Sequence, residues 1–206
     1  EVKRGDPLVV LDDSTTRAAY ETIRQNYLAQ RAFEGRLMAE VSGAASIAFH
    51  PDLMSATEAA ATQHMSVQQQ LFNSRRASQA AELGAARQTI AGLEGQIAGL
   101  NQMAESRRGQ LAIQARQLEN VKALADEGFA PRNQALQLEQ AQAELRTSLA
   151  DLQTNIQRAQ SAIAEARLRI AQREQDYLKE VSGQLAELRR EVQANQERLA
   201  AITGEL

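Results

Sequence analysis

The 206 residues contain no cysteine, no tryptophan and only three prolines, and aromatic residues make up 3 % of the chain. Without cysteine there is no disulfide and no thiolate to hold a metal or attack a substrate. The shortage of large aromatic side chains leaves little with which to fill a broad globular core. The near-absence of proline removes the strongest interruption to long helices. An excess of charge of one sign is missing too. The net charge is −3, which argues against nucleic acid as the main partner, because phosphate binding needs clustered Lys and Arg. No apolar run approaches the roughly 20 residues of a membrane span, and no secretory leader is visible. The chain opens on Glu1-Val2-Lys3-Arg4-Gly5-Asp6 without an initiating Met, as expected of a segment excised from a longer protein.

Ala, Gln, Glu, Leu and Arg dominate what remains, the composition of long helices. Arg4-Gly5-Asp6-Pro7 is turn chemistry, and Leu8 to Leu11 form a short apolar strand run. One strand is not stable alone, so its partners are expected outside this segment. Asp13 or Ser14 can N-cap a first helix over 14–42, with Tyr20, Ile23, Tyr27, Leu37 and Val41 near one face and polar gaps at Gln30 and Glu34. Gly43 ends it as a C′ glycine. A loop over 43–54 follows, and Ser55 with Glu58 forms a capping-box pattern that starts a second helix over 55–127.

That helix carries an apolar stripe at Leu83, Ala86, Ile90, Leu93, Ile97, Leu100, Ala104, Leu111, Leu118, Val121 and Ala125, with Arg107 and Gln114 as polar entries. The stripe stops at Gly128-Phe129-Ala130-Pro131. It resumes in a third helix over 131–203, with Pro131 at N1, through Leu138, Leu145, Leu149, Leu152, Ile156, Ala159, Ile163, Ala166 and Ile170. The register slips between Arg173 and Leu178, as a stutter does, and then continues through Val181, Leu185, Leu188, Val192, Leu199 and Ile202. Two arms of equal length, about 105–110 Å at helical rise, predict an all-α fold: a long antiparallel coiled-coil α-hairpin with a shorter third helix packed at its base. Gly84, Gly92, Gly95, Gly99 and Gly109 each cost about 1 kcal/mol in a helix interior. Each buried Leu or Ile contributes roughly 1.5–3 kcal/mol, so packing outweighs the weak local propensity.

Several blocks together resemble the HlyD-type membrane fusion proteins, the periplasmic adaptors of type I secretion. Val2 to Asp12 is similar to the first half of that family's lipoyl-like motif, which makes residues 1–12 a partial half-motif. Arg36-Leu37-Met38-Ala39-Glu40, followed by Gly43, Ile47, Phe49, Pro51 and Leu53, resembles the RLxAE block and its loop. Gln70-Leu71-Phe72-Asn73-Ser74-Arg75 resembles the start of the long hairpin, and Leu124 to Pro131 its tip. The protease, lipase and S-layer exporters are the branch it looks most like.

The resemblance implies the periplasmic segment of a protein anchored in the inner membrane of a Gram-negative bacterium. Its implied partners are an inner-membrane ABC transporter, a TolC-like outer-membrane channel, other adaptor protomers in a hexameric ring, and secreted protein cargo. It implies no cofactor and no catalysis. Related adaptors meet the channel through an Arg-Leu-Ser pattern. By spacing, Leu124 keeps the Leu, whereas Asn120 stands for the Arg and Pro131 for the Ser, so the resemblance carries over the location and not that specific contact. Rival readings are a drug-efflux adaptor, which has a shorter hairpin and lacks the RLxAE block, and a coiled-coil scaffold that dimerises through these stripes.

The candidate docking residues are Asn120, Leu124, Gly128, Phe129, Pro131 and Arg132. Phe129 can equally serve as the C″ residue of a helix stop, packing on Leu124. Asn120 and Leu124 share a helix face that is otherwise ordinary solvated surface. Arg132 is expected to pair locally with Asp126 or Glu127, a surface interaction worth under about 1 kcal/mol. Gly92, Gly95, Gly99, Ser106 and Gly109 share a face away from the stripe. That face either lets a neighbouring protomer approach or is a tolerated stretch of low helix propensity. His50 and His64 have no companion ligands at metal spacing. No nucleophile–base constellation or phosphate-cradling glycine loop is present.

Overall fold

The computed structural model describes residues 14–204, and the lipoyl-like half-motif expected over residues 1–12 lies outside them. Four helices follow one another: α1 (Ser14–Ser42), α2 (Pro51–Met54), α3 (Ala59–Asp126) and α4 (Arg132–Thr203). There is no strand among the described residues. The fold is a long helical hairpin, α3 and α4, with α1 as a third packed helix. It divides into two compact units. The first joins α1, α2, α3 as far as Ala80 and α4 from Arg173; the second is Ala81–Gln172.

In the first unit α1 and α3 run parallel. Arg24 Nε bonds Glu58 Oε1 at 3.1 Å and Arg36 Nε bonds Gln68 Oε1 at 2.7 Å, so both helices advance together. Helix α4 runs the other way, with Gln30 meeting Glu191 and Asn195, and Arg189 meeting Glu34. The segment after Gly43 therefore has to return along α1 before α3 begins. It does so against Gly35, where a Cβ would lie 3.2 Å from Ile47 Cγ2 and 3.4 Å from the Ala48 carbonyl oxygen, so that a side chain here would crowd the returning chain. Tyr27, Leu28, Ala32, Leu37, Leu53, Ala61, Val181, Leu185, Leu188 and Val192 form the core of this unit.

The expected 43–54 loop contains a helical turn. His50 caps α2, its Nδ1 accepting from the Asp52 N–H at 3.2 Å, and Ser55 closes the turn by donating its N–H to the Pro51 carbonyl. Ser55 is thus consumed as a C-cap, and α3 begins four residues later than the capping-box pattern suggests. Glu58 stands at the N-cap instead. Hydrogen bonds from its own backbone N–H, followed by the Arg24 side chain, hold its carboxyl below the usual range. The gaps at Gln30 and Glu34 are positions where α1 makes polar contacts to α4.

In the second unit Lys122 pairs with Glu139, and 28 residues further along each helix Glu94 pairs with Arg167 at 2.9 Å. The register is therefore constant over four heptads of antiparallel helix. Every stripe residue from Leu83 to Ala125 is buried or half-buried, including Arg107 and Gln114. On α4 the expected slip resolves at Tyr177, which is half-buried in line with Ile170 and Val181, while Leu178 points outward.

Candidate docking turn and the polar cluster of the first unit

The end of α3 is fixed by backbone chemistry. Gly128 adopts φ +82°, the left-handed conformation that glycine enters without Cβ strain. The Phe129 N–H donates to the Leu124 carbonyl at 2.8 Å and the Gly128 N–H to the Ala125 carbonyl at 3.1 Å, the paired bonds of a Schellman stop. Gly43 ends α1 in the same way, with φ +66° and bonds from Gly43 to Glu40 and from Ala44 to Ala39. Beyond the stop, the Pro131 carbonyl accepts from the Gln134 N–H at 3.0 Å. Proline occupies the N-cap of α4, one residue ahead of the N1 position expected, a shift within the usual fraying of helix boundaries.

The side chains of this turn face solvent. Phe129 is 80 % exposed and Leu124 46 % exposed, so the hydrophobic contact that often accompanies such a stop is largely unmade. Asn120, Gly128, Pro131 and Arg132 are exposed as well. Arg132 makes no ion pair with Asp126 or Glu127 among the described residues; the pair beside the turn is Lys122 with Glu139. The structure thus brings Leu124, Gly128, Phe129, Pro131 and Arg132 to one short turn, with Asn120 one helical turn before Leu124. Gly92, Gly95, Gly99, Ser106 and Gly109 are exposed, and a Cβ at any of these glycines would meet nothing within 4 Å.

The RLxAE block builds a cluster that sequence reasoning did not anticipate. Arg36, Leu37, Ala39 and Glu40 are buried, while Met38 points outward. The Arg36 Nη1 donates to Glu40 Oε1 at 2.6 Å, and Arg75 Nε of α3 lies 3.3 Å from the same oxygen. Arg75 also reaches Glu180 at 3.7 Å and stacks on the Tyr177 ring, with Cζ 5.4 Å from its centroid. Burial opposes the Arg75 charge, but Tyr177, Glu40 and Glu180 offset this and raise its pKa. Burial, followed by the Glu40 charge, pushes the Tyr177 phenol upward. The available signal was the i, i+4 spacing of Arg36 and Glu40; nothing in the sequence showed that α3 and α4 would close over it.

No group of three or more His, Asp or Glu side chains suited to a metal occurs among the described residues. His50 is occupied in capping α2.

The family model for the AprE long alpha-helical hairpin matches residues 16–205. The chain belongs to this family. Among AprE-type relatives, the alkaline protease secretion protein AprE of Pseudomonas aeruginosa is 35 % identical over 206 residues, covering all of this chain and 48 % of that protein. The proteases secretion protein PrtE of Dickeya chrysanthemi is 34 % identical over 190 residues, 91 % of this chain and 42 % of that protein. The type I secretion system membrane fusion protein PrsE of Rhizobium meliloti is 28 % identical over 206 residues, all of this chain and 47 % of that protein. The chain spans about half the length of these curated relatives. In three dimensions it resembles the crystal structure of the soluble domain of LipC, a membrane fusion protein of a type I secretion system. That likeness has a TM-score of 0.89 at 28 % identity and covers 98 % of this chain and 95 % of the solved soluble-domain chain.

Proposed function

We propose that this AprE-family hairpin is the periplasmic part of a type I secretion adaptor, which bridges an inner-membrane ABC transporter to a TolC-like outer-membrane channel. The segment makes and breaks no bond. Its work is mechanical: the hairpin spans and its turn docks. The observation that carries this reading is the turn itself, where a rigid backbone stop presents an 80 % exposed Phe129 beside a partly exposed Leu124. An exposed aromatic on an ordered turn suits a recognition surface, because little side-chain entropy is lost when it is buried. Neighbouring protomers, six in the full ring, pack over the open face of Gly92, Gly95, Gly99, Ser106 and Gly109. Secreted protein is the cargo.

The protease-exporter names of the relatives favour this over drug efflux. Pairing of Glu94 with Arg167 within one chain favours it over a scaffold that dimerises through the stripes. No helix among the described residues is long and apolar enough to cross a membrane, in keeping with a hairpin that lies between the two membranes.

The test replaces Leu124 and Phe129 by Asp in the full-length protein and measures cargo export together with co-purification of the outer-membrane channel. Loss of both with normal adaptor abundance is expected. Unchanged export with unchanged channel recruitment would overturn the docking reading.

A further inference from the structure

The second unit is held together unevenly along its length. Its two cross-helix ion pairs, Lys122 with Glu139 and Glu94 with Arg167, are four heptads apart and so lie on one edge of the seam. Between them no ion pair or side-chain hydrogen bond joins α3 to α4 among the described residues. Arg107 bonds Gln110 and Arg108 bonds Glu105, both within α3. The seam itself weakens in the same stretch. Every seam position of α3 from Leu83 to Ala104 is apolar, but between Ala104 and Leu118 the positions are Arg107, Leu111 and Gln114. Gly109 lies among them, exposed, where a Cβ would meet nothing within 4 Å. Glycine is a weaker helix former than any residue but proline, and no close contact requires it here. On the edge opposite the ion pairs an open groove of about 490 Å³ cuts in to the seam. It lies between Gln110, Ile113 and Gln114 of α3 and Ala141, Leu145 and Ser148 of α4.

We infer that this stretch is a joint: residues 104–118 of α3 and the facing residues 143–157 of α4 are the compliant point of the second unit, which bends there by opening along its grooved edge. Most of the stability of a helix in a protein comes from packing of its apolar face. Two polar side chains within three successive seam positions withdraw that packing where Gly109 has already lowered the local helix propensity. A polar residue in a coiled-coil seam costs stability, and here nothing polar reaches across from α4 to offset it. The ion pairs tie the other edge at both ends of the stretch, so separation of the helices is easier on the grooved side. The flanks stay rigid, because Leu93, Ile97 and Leu100 on one side and Leu118 and Val121 on the other keep the seam apolar. A bend at the joint redirects the turn after α3 relative to the Glu94–Arg167 pair without unpairing either flank. That use of the joint rests on docking at the turn, whereas the joint itself does not.

The test is hydrogen exchange followed by mass spectrometry on the full-length protein, read as protection factors along α3 and α4. Residues 104–118 and 143–157 should exchange about tenfold faster than residues 90–100 and 161–170. Replacing Arg107 and Gln114 together by Leu should remove most of that difference. Gly109→Ala adds a methyl group in open space and leaves the seam untouched, so it should reduce the difference even if the double variant fails to fold. Uniform protection, or protection that falls steadily towards the turn with no minimum at 104–118, would overturn the inference. A minimum that no folded variant reduces would overturn it as well. The measurement contains no channel, so its failure is distinct from failure of docking at the turn.

Discussion

Arg36 donates to Glu40 one helical turn away at 2.6 Å, and both side chains are almost wholly shielded from water. Such a pair contributes little net stability relative to a well-packed apolar one, yet removing one partner strands a buried charge. Glu40→Ala should therefore destabilise the first unit by about 3–5 kcal/mol. The joint replacement of Arg36 by Met and Glu40 by Ala should cost clearly less than Arg36→Met and Glu40→Ala added together. Chemical denaturation of the four proteins completes the cycle, and additive losses would refute the coupling.

Gly128 stands at φ +82° with open space where a side chain would go. The cost of Gly128→Ala is then backbone strain alone, about 1–2 kcal/mol. It should be read as faster hydrogen exchange at the amides of Gly128 and Phe129, which close the stop. Unaltered exchange there would show that the left-handed conformation is not required.

Gln114 lies in the apolar seam of the second unit, and its Oε1 is buried without a hydrogen-bond partner. Gln114→Leu removes an unsatisfied acceptor and extends the apolar stripe. The variant should gain about 1–3 kcal/mol, seen as a higher melting temperature. A lower melting temperature would mean that the polar side chain stabilises the seam in a way its geometry does not reveal.

Tyr27 is buried and its hydroxyl donates to Asp52 Oδ2 at 2.5 Å. Burial, followed by that hydrogen bond, raises its pKa, and burial also raises that of Tyr177. A phenol whose folded pKa is raised stabilises the fold fully below its unfolded value of about 10, and the contribution is lost as pH rises through the folded value. Stability should fall on the alkaline side of about pH 10. The fall should be shallower in a Tyr27→Phe, Tyr177→Phe double variant, measured by denaturation at a series of pH values with tyrosinate absorbance as the titration signal. Equal slopes would refute the linkage.

Much of the architecture is written in residues that act locally. Gly43 and Gly128 stop helices because the left-handed conformation is intrinsic to glycine, and the stripe from Leu83 to Ala125 declares its buried face by spacing alone. What could not be read depends on contacts distant in sequence. Ser55 and Glu58 satisfy a capping pattern, but α2 claims Ser55 first, so Glu58 caps α3 alone. Tyr177 enters the seam, and Leu178 leaves it, because Arg75 and Glu40 provide the ring with neighbours. Gly35 is an unremarkable helix glycine until the returning chain crosses it. At the turn after α3 the backbone stop was legible, but the exposure of Phe129 was not, since the same pattern permits a packed cap.

The three-helix unit buries Leu28, Leu37, Leu53 and Val181 to less than 2 % exposure, whereas the two-helix unit relies on a single seam with polar residues within it. Local opening follows such differences. Protease nicks and early amide exchange should concentrate in Ala81–Gln172, while the segment around Leu28 and Leu37 exchanges only on global unfolding. If the turn after α3 docks as proposed, the unit that engages the channel is also the one that opens most readily, and binding would be felt there first as slowed exchange.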